Sequence, residues 1–207
     1  KKFFKNPCRY SIMKVLLTTL LLLLLLAGCT QQNFKGVPLT PAKPAPDFTL
    51  TNQFGEEVSL SDFRGKVVVM SFLYTNCPTV CPIITSKFIS AAEELGDSAG
   101  RDVVFVAVTV DPERDTTDKI RRYSEEKGML DKWHYFTGGR VEVERVWRDY
   151  NIYVNESSAD ASGNYLVDHT ATVIGIGKRG NLRLVFPGIT WDPKDLVDDL
   201  RLLMKEE

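Results

Sequence analysis

VVVMSFLYTNCPTVCP, residues 67–82, contains two signals that together predict the architecture of the domain. Residues 67–73 form a continuous apolar run, which is typical of a strand buried on both faces of a mainly parallel sheet. From Val80 onward the apolar residues recur at helical spacing, through Ile84 and Phe88, and predict an amphipathic helix. The stretch therefore predicts a buried strand that leads directly into a helix.

Strands and helices alternate through residues 47–207, which we interpret as one domain. The other predicted elements are a hairpin of strands at 48–50 and 58–60, strands at 103–110, 170–176 and 182–186, and helices at 116–127, 143–150 and 192–203. This order predicts the α/β class, with an N-terminal β-hairpin and a mixed central sheet that has helices on both faces.

The segment before the domain has the pattern of an export signal. Residues 1–28 contain five basic residues and no acidic one, and a leucine run at 20–26 follows them. This pattern is typical of a secretory signal peptide, and the apolar run is short for a membrane span. Residues 1–12 precede Met13 and are interpreted as an extension upstream of the natural start.

Leu26-Ala27-Gly28-Cys29 resembles the lipobox of bacterial lipoproteins, in which the cysteine is lipidated and becomes the mature N-terminus. The alternative is a plain secretory signal with an incidental cysteine. Residues 30–46 are polar and contain four prolines, so that we interpret 29–46 as a lipidated Cys29 and a semi-rigid tether. Together these features predict a domain on the extracytoplasmic face of a bacterial membrane.

The charge balance excludes nucleic acid as a partner. The whole chain has 26 basic and 27 acidic residues, a formal net charge of -1. Without the five basic residues of 1–28, the remainder has 21 basic residues against the same 27 acidic ones, a net charge of -6. A domain this acidic has no basic surface for binding a polyphosphate backbone.

Cys77 and Cys81 follow the carboxyl end of the first buried strand and open the helix. A spacing of four places both sulfurs on one face of the first turn, where backbone N–H groups and the helix dipole favour the thiolate. A structural disulfide is the alternative. It would close a short loop and stabilise the domain by only about 2 kcal/mol, so we favour a functional thiol pair.

Two histidines are present, at 134 and 169. A lone histidine is more often a packing residue than a ligand. His169 precedes the predicted strand 170–176, and in a suitable fold that strand entrance faces the cysteines. His134 has no comparable support and is interpreted as structural.

Three motifs together resemble the Sco/SenC family of copper-binding assembly factors for cytochrome c oxidase. They are FLYTNCPTVCP at 72–82, TVDPERDT at 109–116 and VDHT at 167–170, and the resemblance extends over residues 47–207. It implies a thioredoxin-like fold in which the third core strand runs antiparallel to the first. That topology would bring His169 towards the two cysteines.

The resemblance also implies that Cys77, Cys81 and His169 bind copper. Two thiolates and an imidazole form a soft, three-coordinate set that suits Cu(I) and accepts Cu(II) with a weak additional ligand. The family usually has an acidic residue between the cysteines, where this chain has Pro78-Thr79-Val80. Asp168 is interpreted equally as a residue that tunes the histidine and as a surface charge.

Asp111 and Asp115 lie in the second motif and are interpreted as turn and helix-cap residues. A partner-binding surface is the less favoured alternative for them.

Two functions remain open on the sequence. The first is a non-enzymatic copper metallochaperone, anchored to the membrane at Cys29, that loads the dinuclear copper site of cytochrome c oxidase subunit II or acts with its assembly factors. The second is a thiol–disulfide oxidoreductase, in which Cys77 and Cys81 are the redox-active pair and keep a partner's copper-ligand thiols reduced. A peroxidase is less favoured, because peroxidatic sites typically centre on one thiol.

Overall fold

The computed structural model describes residues 33–206, so the predicted signal peptide at 1–28 and Cys29 lie outside the described residues. Within this range there are ten strands, four α-helices and two short 3-10 helices. The strands are β1 (Val37–Pro44), β2 (Thr49–Thr51), β3 (Glu57–Ser59), β4 (Val67–Leu73), β5 (Val103–Thr109), β6 (Trp133–Phe136), β7 (Val154–Glu156), β8 (Val167–His169), β9 (Thr172–Ile176) and β10 (Asn181–Pro187). The α-helices are α1 (Val80–Leu95), α2 (Thr117–Glu126), α3 (Arg140–Asp149) and α4 (Pro193–Lys205). None of the helices in residues 33–206 is both long and apolar enough to cross a membrane.

Six strands form the central sheet, in the order β1-β10-β9-β4-β5-β6. The strands β4, β5 and β6 run parallel to one another, whereas β9 is antiparallel to β4. β10 and β1 continue the antiparallel side. β4 and β5 are buried along their whole lengths, which explains their continuous apolar sequences. The mixed sheet predicted from the sequence is therefore confirmed.

Helices cover both faces of this sheet. Phe105 of β5 packs against Phe88 of α1, with ring centroids 5.3 Å apart. Phe72 of β4 packs against Tyr150, at the end of α3, with a centroid distance of 6.0 Å. Since Phe105 pairs with Val69 and successive side chains of a strand point to opposite faces, the two contacts lie on opposite sides of the sheet.

The folded domain begins earlier in the chain than residue 47, where the sequence patterns placed its boundary with the tether. Val37–Pro44, interpreted from its prolines as a spacer, forms the edge strand β1 and pairs with β10. An edge strand tolerates proline because the missing N–H groups can face away from the sheet. Just before β1, the buried carboxylate of Asp199 accepts hydrogen bonds from the backbone N–H groups of Lys35 (2.8 Å) and Gly36 (2.8 Å). The folded domain therefore begins before residue 47.

Two further regions have strands that the sequence patterns did not predict. β6 extends the parallel side of the sheet beside β5. Its His134 packs against Phe63 with ring centroids 4.8 Å apart, and burial lowers the pKa of this histidine, in keeping with a structural role. β7 and β8 form a separate two-stranded sheet, so that Val167–His169 is a strand of its own and β9 starts only at Thr172.

We expect a chain that begins at residue 47 to be less stable than one that begins at residue 34, because it lacks β1 and the partners of Asp199. A loss of about 2 kcal/mol would lower the Tm by roughly 4–8 °C in a domain of this size. Thermal unfolding followed by circular dichroism measures the difference. Asp199→Ala serves as the matched test, since it should destabilise the longer chain and leave the shorter one nearly unchanged. Equal Tm values for the two chains would contradict the assignment of β1 to the domain.

Candidate metal centre

Cys77 and Cys81 lie where β4 leads into α1. β4 ends at Leu73 and α1 begins at Val80, so Cys77 lies in the connecting loop and Cys81 in the first turn of the helix. The sequence spacing predicted both thiols on that turn, but the helix starts too late to include Cys77. Both cysteines are free thiols, and Cys81 is buried whereas Cys77 is half-buried.

The two thiols are tightly coupled. The backbone N–H of Cys81 donates a hydrogen bond to Cys77 Sγ over 3.3 Å. A hydrogen bond from the Cys81 thiol is the main cause that lowers the pKa of Cys77 from 9.0 to about 5, partial burial opposes it, and backbone N–H groups at the helix start assist it. The same hydrogen bond, together with burial, raises the pKa of Cys81. At neutral pH the pair therefore holds a thiolate at Cys77 and a proton at Cys81.

His169 reaches this pair from a distant part of the chain. It is the last residue of β8, and its Nε2 lies 3.6 Å from Cys81 Sγ. Its Nδ1 lies 3.1 Å from the carbonyl oxygen of Thr170. Since a carbonyl only accepts, Nδ1 carries the proton and Nε2 presents its lone pair towards Cys81. Burial lowers the pKa of His169, which favours this neutral form.

Tyr74 supports the strand that carries His169. Its hydroxyl oxygen accepts a hydrogen bond from the backbone N–H of Val167 over 3.3 Å. Its ring stands edge-on to the imidazole of His169, with centroids 6.0 Å apart. Burial is the main cause that raises the pKa of Tyr74 to about 12, so the phenol stays neutral.

An open cavity of about 120 Å³ connects the Cys77 thiol and the imidazole of His169 with solvent. Cys77 and His169 both line it, together with Pro78, Leu166 and Asp168. Cys81, in contrast, lies behind these residues in the core. A ligand that enters the cavity therefore meets Cys77 and His169 first.

The donor set fits a soft metal ion in part. An ion held at roughly 2.3 Å from sulfur and roughly 2.0 Å from nitrogen, with a near-tetrahedral angle, separates the two donors by about 3.5 Å. The distance between Cys81 Sγ and His169 Nε2 is 3.6 Å. Metal-binding histidines commonly donate their second ring N–H to a carbonyl, as His169 does.

The three side chains are joined by pairwise contacts, Cys77 with Cys81 and Cys81 with His169. Within residues 33–206, no three His, Cys, Asp or Glu side chains already surround one point as a bound ion requires. The three donors would have to converge further to complete such a site.

The acidic residues of the motifs agree only in part with their interpretation. Asp168 is exposed, and Nδ1 of His169 bonds to the Thr170 carbonyl rather than to this carboxylate. Thr116, not Asp115, is the N-cap of α2. Asp111 opens the turn at 112–114, as interpreted, and Asp111 and Asp115 are both fully buried.

Asp115 is a site residue that the sequence reasoning missed. Its carboxylate accepts hydrogen bonds from the Thr75 hydroxyl (2.6 Å) and the Thr109 hydroxyl (2.7 Å), and thereby holds the loop that leads to Cys77. Burial is the main cause that raises its pKa to about 6, although these hydrogen bonds oppose the change. The available signal was its place just beyond a buried strand, at the sheet edge where the cysteines also lie.

Comparison with known proteins gives a consistent result. A model of the SCO1/SenC family matches residues 38–205. The chain is 34% identical to the human protein SCO1 homolog, mitochondrial, over 134 residues, which are 64% of this chain and 44% of that protein. It thus spans less than half the length of this relative. The SCO1 protein homolog of Bacillus subtilis is 28% identical over 195 residues, which cover 91% of this chain and 97% of that protein.

Solved structures are similar over the same region. ScoI of Bradyrhizobium japonicum, determined with copper bound, superposes with a TM-score of 0.70 at 27% identity and covers 78% of this chain and 99% of that one. A SCO1/SenC family lipoprotein of Bacillus anthracis gives a TM-score of 0.67 at 25% identity, covering 81% of this chain and 99% of that one. The predicted thioredoxin-like fold is confirmed by these likenesses and by the antiparallel pairing of β9 with β4.

We expect the rate at which iodoacetamide alkylates Cys77 to be constant above about pH 6. At lower pH the rate should fall, with a midpoint at about pH 5, because the thiolate is the reactive form. Mass spectrometry of the reduced protein measures the rate. Cys81→Ala removes the thiol donor and should move the midpoint upward, whereas Cys81→Ser retains a donor and should keep it low. A midpoint near 9 in the unmodified chain would contradict the coupling of the thiols.

Proposed function

This chain belongs to the SCO1/SenC family, and we propose on that basis that it is a membrane-anchored copper metallochaperone. Cys77, Cys81 and His169 bind the copper ion as cargo. The recipient is the dinuclear copper site of cytochrome c oxidase subunit II, either directly or together with its assembly factors. The copper-bound relative from Bradyrhizobium supports the choice of metal.

The observation that carries this proposal is the approach of His169 Nε2 to Cys81 Sγ, at 3.6 Å across 88 residues of sequence. Thiolate and imidazole are the ligands expected for Cu(I). A pair of thiols alone needs no imidazole to form a disulfide, so a half-buried neutral histidine with its lone pair directed at Cys81 favours metal binding over redox chemistry alone.

The exposure of the ligands suits transfer rather than permanent storage. Cys77 is a thiolate at neutral pH and lies at the cavity, where the thiols of a recipient can reach it. Cys81 lies deeper and retains the ion until exchange at Cys77 is under way. Three protein ligands leave a coordination position for an incoming donor, unlike the closed set of a structural zinc site.

A thiol–disulfide oxidoreductase is the second candidate, and the acidic thiol of Cys77 beside the protonated Cys81 favours it. The Cys77 thiolate would attack a partner's disulfide, forming a mixed disulfide and releasing one partner thiolate. Cys81 would then lose its proton and attack Cys77 Sγ, releasing the second partner thiolate. The partner is thereby reduced by two electrons and the Cys77–Cys81 disulfide forms.

Membrane attachment through Cys29 is part of the same proposal. The Leu26-Ala27-Gly28-Cys29 motif supports removal of residues 1–28 and lipidation of Cys29, and the related Bacillus anthracis protein is a lipoprotein. The residues between Cys29 and β1 then link the lipid to the domain on the extracytoplasmic face of the membrane.

We expect His169→Ala to weaken Cu(I) binding by more than about 100-fold, because even the outer-shell partners of metal ligands contribute about 10–100-fold. Anaerobic titration against a competing chelator measures the affinity. His134→Gln is the matched control and should leave it unchanged. Thiol titration of the His169→Ala variant should still find the two sulfhydryls of Cys77 and Cys81. Unchanged copper affinity in His169→Ala would contradict the metallochaperone proposal and favour redox chemistry of the thiol pair alone.

We expect Cys29→Ser to release the protein from membranes in cell fractionation, without changing copper binding by the purified domain. Thr30→Ser, at the position directly after Cys29, is the control and should stay in the membrane fraction. If Cys29→Ser still sediments with membranes, the leucine run is an uncleaved anchor.

A further inference from the structure

The segment between β5 and α2 contacts the loop that carries Cys77. Both oxygens of the Asp115 carboxylate contact the backbone N–H of Thr75, each at 3.2 Å, in addition to the hydroxyl at 2.6 Å. Asp115 is fully buried, and Thr75 lies two residues before Cys77. This carboxylate therefore fixes the backbone of the thiol loop.

The other end of the same segment contacts the strand that carries His169. The Tyr165 hydroxyl donates to the buried Asp111 carboxylate over 2.7 Å. Arg114 donates to Asp111 through Nε over 2.6 Å and to the Tyr165 carbonyl through Nη1 over 2.9 Å. The guanidinium also lies 3.5 Å from the centroid of the Tyr165 ring. Tyr165 lies four residues before His169.

The two ends of the segment are tied to each other. The backbone N–H of Asp115 donates to the carbonyl of Asp111 over 2.9 Å. The Thr109 hydroxyl donates to the Asp115 carboxylate and accepts from the N–H of Asp111 over 2.9 Å. The segment is thus a compact turn at the end of β5, with one carboxylate directed at each part of the site.

The histidine side needs such a support. β7 and β8 form a two-stranded sheet separate from the six-stranded one. The six-stranded sheet holds this part of the chain only from Thr172 onward, so β8 itself depends on other contacts for its position relative to the thiols. The Tyr74 hydroxyl accepts a hydrogen bond from the backbone N–H of Val167. Arg114 and Asp111 hold Tyr165, two residues before β8, through its carbonyl and its hydroxyl.

We propose that Arg114 and Asp111 are positioning residues for copper binding, which hold the β8 strand so that His169 lies at binding distance from the thiols that Asp115 and Thr75 secure. The inference rests on the proposed function. Arg114 acts through His169 and does not touch the ion itself.

The test is Cu(I) affinity of the Arg114→Met variant, measured anaerobically against a competing chelator. We expect binding to weaken about 10–100-fold, the range for residues that orient metal ligands. Arg121→Met is the matched control, since Arg121 pairs with Glu125 on the surface of α2 and its loss should not alter affinity. Because Arg114 acts through His169, the change to Met should have no further effect in a chain that already carries His169→Ala.

A second readout separates positioning from general destabilisation. In Arg114→Met the alkylation midpoint of Cys77 should stay where it is in the parent chain, while the nitrogen hyperfine signal of the Cu(II) form should weaken or change. Tyr165→Phe removes only one hydroxyl and should fold even if Arg114→Met does not. We expect it to weaken Cu(I) binding about 3–10-fold, as the loss of one hydrogen bond predicts.

The outcomes distinguish this inference from the function on which it rests. If His169→Ala loses copper while Arg114→Met and Tyr165→Phe bind it normally, the positioning role is wrong and the metallochaperone function stands. An equal loss from Arg114→Met with and without His169 also overturns the positioning role. If His169→Ala itself binds copper normally, the proposed function fails and this inference fails with it.

Discussion

The site depends on the direction of one strand. β9 runs antiparallel to β4, so the residues that precede β9 lie at the same sheet edge as the loop that follows β4. This is how His169 comes within 3.6 Å of Cys81 although 88 residues separate them in sequence. With β9 parallel to β4, the imidazole would enter at the opposite edge of the sheet. β4 lies between β5 and β9 and is hydrogen-bonded to both.

The same edge separates two kinds of thiol. Cys81 lies in the apolar core, where a charge is unfavourable, and keeps its proton. Cys77 lies at the surface of the helix start, where N–H groups and the neighbouring thiol stabilise its charge. The site therefore has one negative charge and a neutral imidazole at the cavity, and a neutral sulfur behind them. This asymmetry gives an incoming cation a defined first contact, and it gives a partner's disulfide the same one.

Sequence patterns predicted those elements and site residues that depend on local or periodic features of the chain. β4 and β5 were readable because strands buried on both faces are continuously apolar. β1 was not, since its prolines are typical of a spacer and its strand character comes from pairing with β10. The thiol pair was evident from its spacing, and the family resemblance supplied the approach of His169. The role of Asp115 was hidden, because its partner Thr75 is 40 residues away and the burial of a carboxylate leaves no trace in composition.

The prolines of β1 also affect how the domain behaves next to copies of itself. An open sheet edge offers unpaired N–H and C=O groups to which a strand of another chain can add. Pro38, Pro41 and Pro44 lack N–H groups, so the outer side of β1 is a poor template for such addition. Under the proposed lipid anchoring, which would concentrate the molecules on a two-dimensional surface, this edge would discourage aggregation while leaving the face with the cavity available.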